Sequence, residues 1–173
     1  SYFRDISVLK LILEKMPATL ELAFAAMAIA IVLGIPLGLW AGLKPDAFSG
    51  RTIMAGSILG FSLPTFWVGL MLIMVFSVML GWLPSNGRGE TVSVLGVPLS
   101  FLTVDGLRHL VMPATNLALF NVALLIRLTR SGAHEALLQD YVKFARAKGL
   151  SNRRVIGVHV LRNILIPIVT VIG

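Results

Sequence analysis

The sequence has 173 residues, of which 57% are hydrophobic and only 13% are Asp, Glu, Lys or Arg. Soluble domains carry about 25% charged residues, so too few polar side chains remain here to cover a water-facing surface, and a water-soluble fold does not fit. Fifteen Lys and Arg against eight Asp and Glu give a formal charge of +7, and because the basic residues sit beside long apolar runs, that balance points to a membrane rather than to nucleic acid. The absence of cysteine removes disulfides, thiolate catalysis and Cys-ligated metal.

The expected fold is all-α: a polytopic bundle of transmembrane helices with two short cytoplasmic helices, residues 1–173 forming part of a single transmembrane domain. The first apolar run is too long for a secretory signal and has no small-residue cleavage pattern. The chain starts at Ser1 without Met and stops at Gly173 inside an apolar run, which reads as a piece of something longer.

Leu22–Leu43 carries no charge and is long enough to cross a hydrocarbon core of about 30 Å, giving a first span at about 18–43. Within it Ala26, Ala30, Gly34, Gly38 and Gly42 recur every fourth residue and share one helix face, the spacing that lets membrane helices approach closely. Glu21, one turn beyond Pro17, is expected to snorkel to the interface. Thr52–Gly87 is also charge-free but too long for one upright span. Pro64 is expected to divide it, with a span at about 56–83, its main crossing over 63–83, and 52–62 as a lead-in turn or tilted extension.

Pro84–His109 reads as a small loop: Ser85-Asn86-Gly87-Arg88-Gly89 is turn-rich and Thr91-Val92-Ser93-Val94 alternates like a short strand. Thr103 or Asp105 is placed to cap the next helix, which carries the third span at about 110–130. The fourth, 164–173, is truncated. Arg127–Arg162 holds eight of the fifteen basic residues, which puts 127–162 on the cytoplasmic side and 84–109 outside.

Between about 131 and 162, helix propensity and basic residues over Glu135–Lys148, Gly149 at a stop position and Ser151 at a start position describe a helix, a turn and a second helix. Four roles are open to this segment from its residues alone: lipid binding, nucleic-acid binding, an inert connection, or docking of a cytoplasmic partner.

A family resemblance narrows them. Lys143–Gly149 followed by His159-Val160-Leu161-Arg162-Asn163-Ile164-Leu165-Ile166-Pro167 resembles the EAA loop of bacterial ABC-transporter permeases, in the dipeptide/oligopeptide/nickel branch. Met16-Pro17-Ala18-Thr19-Leu20-Glu21-Leu22-Ala23, Ser62–Gly69, Gly81-Trp82-Leu83-Pro84 and Arg108–Ala114 are similar to that branch too, in order and register. Against the general pattern anchored on Gly149, Ala145 and Leu161 match, while Lys143, Phe144, His159 and Arg162 replace Glu, Ala, Ile and Pro.

The resemblance implies a subunit that forms the membrane path of an ATP-driven importer for peptides or related solutes, nickel and glutathione being alternative cargoes. It implies that Lys143, Phe144, Ala145, Arg146, Gly149 and Leu161 couple to a separate ATPase. The expected partners are a second, homologous permease subunit, two cytoplasmic ATPase subunits, an external solute-binding protein and membrane lipid, with no nucleic acid. No Lys is followed by Ser or Thr, so the chain holds no phosphate-cradling loop. It is expected not to be an enzyme and to bind no cofactor, ATP and Mg residing on the partner subunits.

Ser62, Thr65, Trp67, Asn116 and Asn121 are the candidates for lining the translocation path, since an amide or hydroxyl in hydrocarbon needs a partner or a wet cavity. Histidines 109, 134 and 159 show no metal-ligand spacing, and no metal site is expected. An ATP-independent carrier or channel is the alternative; it would favour ionisable residues at mid-span or inverted repeats, and neither is visible.

Overall fold

The computed structural model describes residues 8–94 and 96–140, together with 142, 144, 148, 157, 161, 164 and 168–170. The elements are α1 (Val8–Leu43), α2 (Phe48–Ser62), α3 (Thr65–Leu72) prolonged by a π-helical segment (Ile73–Met79), β1 (Val92–Val94), β2 (Val97–Leu99) and α4 (Val104–Leu138). Lys10–Leu43 and Val104–Leu138 are each long and apolar enough to cross a membrane, and α2 with the 65–79 helix makes a third candidate if the pair is one broken span.

The helix boundaries follow local chemistry. α1 is described over Val8–Leu43 and includes residues ahead of the span expected at about 18–43, Lys10, Glu14 and Lys15 being good helix formers that keep their heads exposed. Residues 52–62, expected as a lead-in turn or a tilted extension, belong to a regular helix that already starts at Phe48. That helix stops where Leu63 and Pro64 turn extended, since the proline ring disfavours helical backbone in the residue before it. Thr103, rather than Asp105, caps α4: its Oγ1 accepts the Gly106 N–H at 2.9 Å.

The chain divides into two compact units, residues 1–26 with 64–117 and residues 27–63 with 118–173. In the second unit α1 and α4 meet along the small-residue face. Ala30, Gly34, Gly38 and Gly42 are all buried. A Cβ at Gly34 would stand 2.7 Å from Leu125 Cβ, one at Gly38 2.7 Å from both Ile126 O and Thr129 Cβ, and one at Gly42 2.7 Å from Ala133 Cβ. The backbones are thus closer than any side chain would permit, which is how membrane helices gain dispersion contact where lipid is as apolar as leucine. Ala30, Leu125, Ala133 and Ala136 form the core with Ile164 and Ile168, so the last described residues pack back onto this seam.

α2 joins the same unit through Phe61, which stacks on Phe120 at 4.7 Å and lies under the Arg127 guanidinium at 5.5 Å. At the α1–α2 corner Trp40 donates its Nε1–H to Ser49 Oγ at 3.0 Å while Lys44 Nζ sits 4.4 Å from its ring centroid, an amphipathic anchor of the kind that marks a membrane interface. Phe24, Val32, Phe48 and Phe66 are largely exposed, the outward apolar surface a lipid solvent accepts.

Replacing Gly38 with Leu forces a branched side chain against Ile126 O and Thr129. Overpacking of this kind destabilises by about 1–3 kcal/mol or more. The thermal midpoint of the purified protein in detergent is expected to fall, whereas Val32→Leu on the exposed face leaves it unchanged.

Candidate functional site

In the unit formed by residues 1–26 and 64–117, the connection from the π-helical segment to α4 folds onto two helices. Gly87 and Gly89 take the left-handed backbone, φ 90° and 74°, which L side chains rarely adopt. A Cβ at Gly89 would stand 2.6 Å from His109 Nδ1 and 2.8 Å from Asp105 Oδ2, so the loop lies directly on the first turns of α4. Asp105 Oδ2 accepts the Glu90 N–H at 2.9 Å, and Thr103 Oγ1 donates to Glu90 O at 2.7 Å. β1 and β2 pair antiparallel with Val92 opposite Leu99 and Val94 opposite Val97.

The hairpin is held to α1 by Glu21. This residue is only 8% exposed, and its carboxylate does not snorkel as the sequence suggests. Oε1 accepts the Ser100 N–H at 2.7 Å, and Oε2 accepts Ser100 Oγ–H at 2.5 Å and Arg88 Nη2–H at 3.0 Å. Arg88 Nη2 also donates to Pro98 O at 2.7 Å. Glu21 is the one charged residue between Lys15 and Lys44. A carboxylate in such surroundings needs a cation and donors, and the hairpin delivers both.

Beside this latch, α3 and the start of the π-helical segment face α4 across a cavity of about 300 Å³. Gly69, Leu72 and Ile73 form one wall, and His109, Met112, Pro113 and Asn116 the other, with the 84–87 turn between them. His109 Nδ1 lies 2.8 Å from the Asp105 carbonyl. Because a carbonyl can only accept, Nδ1 carries the hydrogen. Pro113 sits inside α4, and its missing N–H leaves the His109 carbonyl without its usual helical partner. Asn116 Oδ1 is buried and has no hydrogen-bond partner among the described residues. A Cβ at Gly69 would come within 3.2 Å of Asn116 Nδ2, so glycine there lets the α3 backbone approach the amide closely.

Of the residues singled out for the translocation path, only Asn116 borders this cavity. Ser62 is exposed and bonds back to Ile58 O at 2.8 Å, and Thr65 and Trp67 are exposed. Asn121 is half-buried and falls in the other unit, residues 27–63 with 118–173. Of the expected coupling residues, Phe144 and Leu161 are described, Phe144 being 70% exposed. Lys143, Ala145, Arg146 and Gly149 lie outside the described residues, as does Ser151. Among the described residues no three His, Asp or Glu gather in a group that could hold a metal ion.

Glu21, Arg88, Ser100, His109 and Gly69 are the contributors that sequence reasoning did not assign. For Glu21 the signal was present as a lone carboxylate in a long apolar run. For Arg88 and Ser100 it was absent, because nothing local says which loop residues fold back on a helix.

Long apolar helices joined at small-residue seams and a loop latched by a buried carboxylate define a polytopic helical membrane component. The chain belongs to the family of binding-protein-dependent transport system inner membrane components, whose family model matches residues 34–173. It is 44% identical over 169 residues to the di/tripeptide transport system permease protein of Pseudomonas aeruginosa, a match covering 91% of this chain and 50% of that protein. It is 41% identical to the dipeptide transport system permease protein of Haemophilus influenzae, over 91% of this chain and 50% of that protein. To the oligopeptide transport system permease protein of Bacillus subtilis it is 40% identical, over 96% of this chain and 51% of that protein. The chain therefore spans about half the length of the curated relatives it matches.

Removing one partner from a buried ion pair typically destabilises by about 3–5 kcal/mol. With the Arg88 side chain 31% exposed, Glu21→Gln is expected to weaken the latch by roughly 2–3 kcal/mol. The Ser100 amide, which Glu21 holds directly, should then exchange hydrogen roughly a hundredfold faster by mass spectrometry, with the α1–α4 seam amides unaffected.

Proposed function

We propose that this chain is part of the permease subunit of an ATP-driven importer of peptides, forming the membrane path and taking its energy from a separate ATPase. The reading is carried by its 44% identity, over nearly its whole length, to a protein named as a di/tripeptide transport permease. Residues 127–162 face the cytoplasm on the count of basic residues, and 84–109 face outward. The partners in this reading are a homologous second permease, two cytoplasmic ATPase subunits that hold ATP and Mg, and an external solute-binding protein, with lipid around the apolar faces. Nickel complexes and glutathione are the alternative cargoes within the family.

Coupling is assigned to the segment around Lys143, Phe144, Ala145, Arg146, Gly149 and Leu161. Its support is the resemblance in sequence and one described side chain: Phe144, a large hydrophobe, is mostly exposed. An exposed aromatic on a helix is the kind of anchor that fills a pocket in a partner protein.

The test is uptake of a labelled dipeptide by the full-length subunit assembled with its partners in proteoliposomes. Uptake is expected to require ATP. Phe144→Asp is expected to lower it by more than tenfold and to uncouple ATP hydrolysis from the peptide-loaded binding protein, the subunit remaining at normal level in the bilayer. Uptake that proceeds without ATP contradicts the proposal.

A further inference from the structure

We propose that the cavity between α3 and α4 is a subsite for one extended, uncharged residue of a peptide cargo, whose backbone N–H and C=O are bonded by the Asn116 side-chain amide. The inference rests on the peptide-import reading above and adds to it the part of the cargo that this chain handles.

Among the described residues no Lys, Arg, Asp or Glu lines the cavity. Neither the terminal ammonium nor the terminal carboxylate of a peptide finds a counter-charge there, and stripping water from an unpaired charge is strongly unfavourable. The lining is instead divided between apolar Leu72, Ile73 and Met112 and the polar side chains of Ser85, Asn86, His109 and Asn116. At about 300 Å³ it stands at the small end of ligand pockets, room for a residue or two and not for a long peptide.

The amide supplies the matching chemistry. Asn carries an acceptor and two donors in one plane, and the N–H and C=O of one extended residue point the same way, as in a hydrogen-bonded antiparallel pair. Oδ1 of Asn116 is buried without a partner among the described residues, an expensive state unless something in the working cycle completes it. Glycine at position 69 lets the α3 backbone approach the amide closely, since a Cβ there would press within 3.2 Å of Asn116 Nδ2.

Two backbone irregularities frame the same space. Ile73 opens the π-helical segment, a rare form that recurs at functional sites. Across from it Pro113 frees the His109 carbonyl, and the His109 ring borders the cavity with its Nδ1–H held by Asp105 O. The cavity therefore offers acceptors beyond its own protein partners, and a peptide N–H is the donor every peptide residue except proline brings.

The experiment compares a tripeptide with leucine at its centre, the shortest peptide in which one residue has an amide N–H and an amide C=O and no terminal charge, with its analogue methylated at the leucine nitrogen, which replaces that donor by a methyl group. The full-length permease is reconstituted with its ATPases and binding protein, and KM for uptake is measured for the native chain and for Asn116→Leu. The binding protein is common to both, so its own preference cancels in the double comparison. Methylation is expected to raise KM about tenfold more in the native chain than in Asn116→Leu, and Asn116→Asp, which keeps an acceptor, is expected to stay sensitive. An equal methylation effect in native and Leu proteins overturns the subsite while leaving peptide import standing. A native complex that imports no peptide overturns both.

Should Asn116→Leu fail to assemble, Leu72→Cys replaces it. These 173 residues hold no cysteine, so maleimide labelling is followed on the proteolytic peptide that contains position 72, which reports on the cavity. Saturating tripeptide is expected to slow the labelling at least fivefold more than its methylated analogue does, and equal rates with both overturn the subsite.

Discussion

The closest physical constraint in this protein is the absence of side chains where α1 meets α4. In water, helices are driven together by burying apolar surface. In lipid that drive vanishes, and association rests on how many atoms can be brought within dispersion range. Gly34, Gly38 and Gly42 remove their own side chains and so let Leu125, Ile126, Thr129 and Ala133 reach the α1 backbone. Ile164 and Ile168 then complete the packing around Ala30 and Leu125. Bulk is placed outward instead, at Phe24, Val32 and Phe48, where the acyl chains accept it.

The other unit solves a different problem, that of keeping polar groups satisfied away from water. Glu21 is matched by two donors of Ser100 and one of Arg88, so the hairpin is tied to α1 by electrostatics and hydrogen bonds rather than by hydrophobic area. A two-stranded hairpin with three residues per strand is marginal alone; here its stability is borrowed from the helix it is latched to. The Asn116 amide is the contrasting case. It stands beside Pro113 on one wall of a cavity whose other wall holds Gly69 and the start of the π-helical segment.

What could be read in advance followed from periodicity and from residue chemistry with a local reach. The four-residue spacing of Ala26, Ala30, Gly34, Gly38 and Gly42 marks one face because helix geometry allows nothing else, and every one of these positions is buried. Pro64 announces a helix end because its effect is confined to its neighbours, and the strand pattern at Val92–Val94 is likewise local. Glu21 was misjudged for the opposite reason. Whether a carboxylate bends to the surface or stays inside depends on a cation 67 positions away, and no one-dimensional pattern carries that. Asn116 could be singled out as an amide in hydrocarbon, but Gly69 facing it could not. Ser62, Thr65 and Trp67 drew notice by composition around Pro64, yet backbone bonding and exposure account for their placement.

The glycine stripe also limits how this part of the gene can change in length. A helix advances about 100° per residue, so inserting or deleting one residue between Ala30 and Gly42 would swing the remaining small residues away from Ile126 and Ala133 and carry a neighbour such as Ile35, Leu39 or Leu43 into the seam. Three or four residues together nearly restore the phase, and seven do so more closely. Relatives that differ in length within α1 should therefore differ by whole turns, and frame-preserving changes of one or two residues should be purged while most point substitutions on the outer face drift freely.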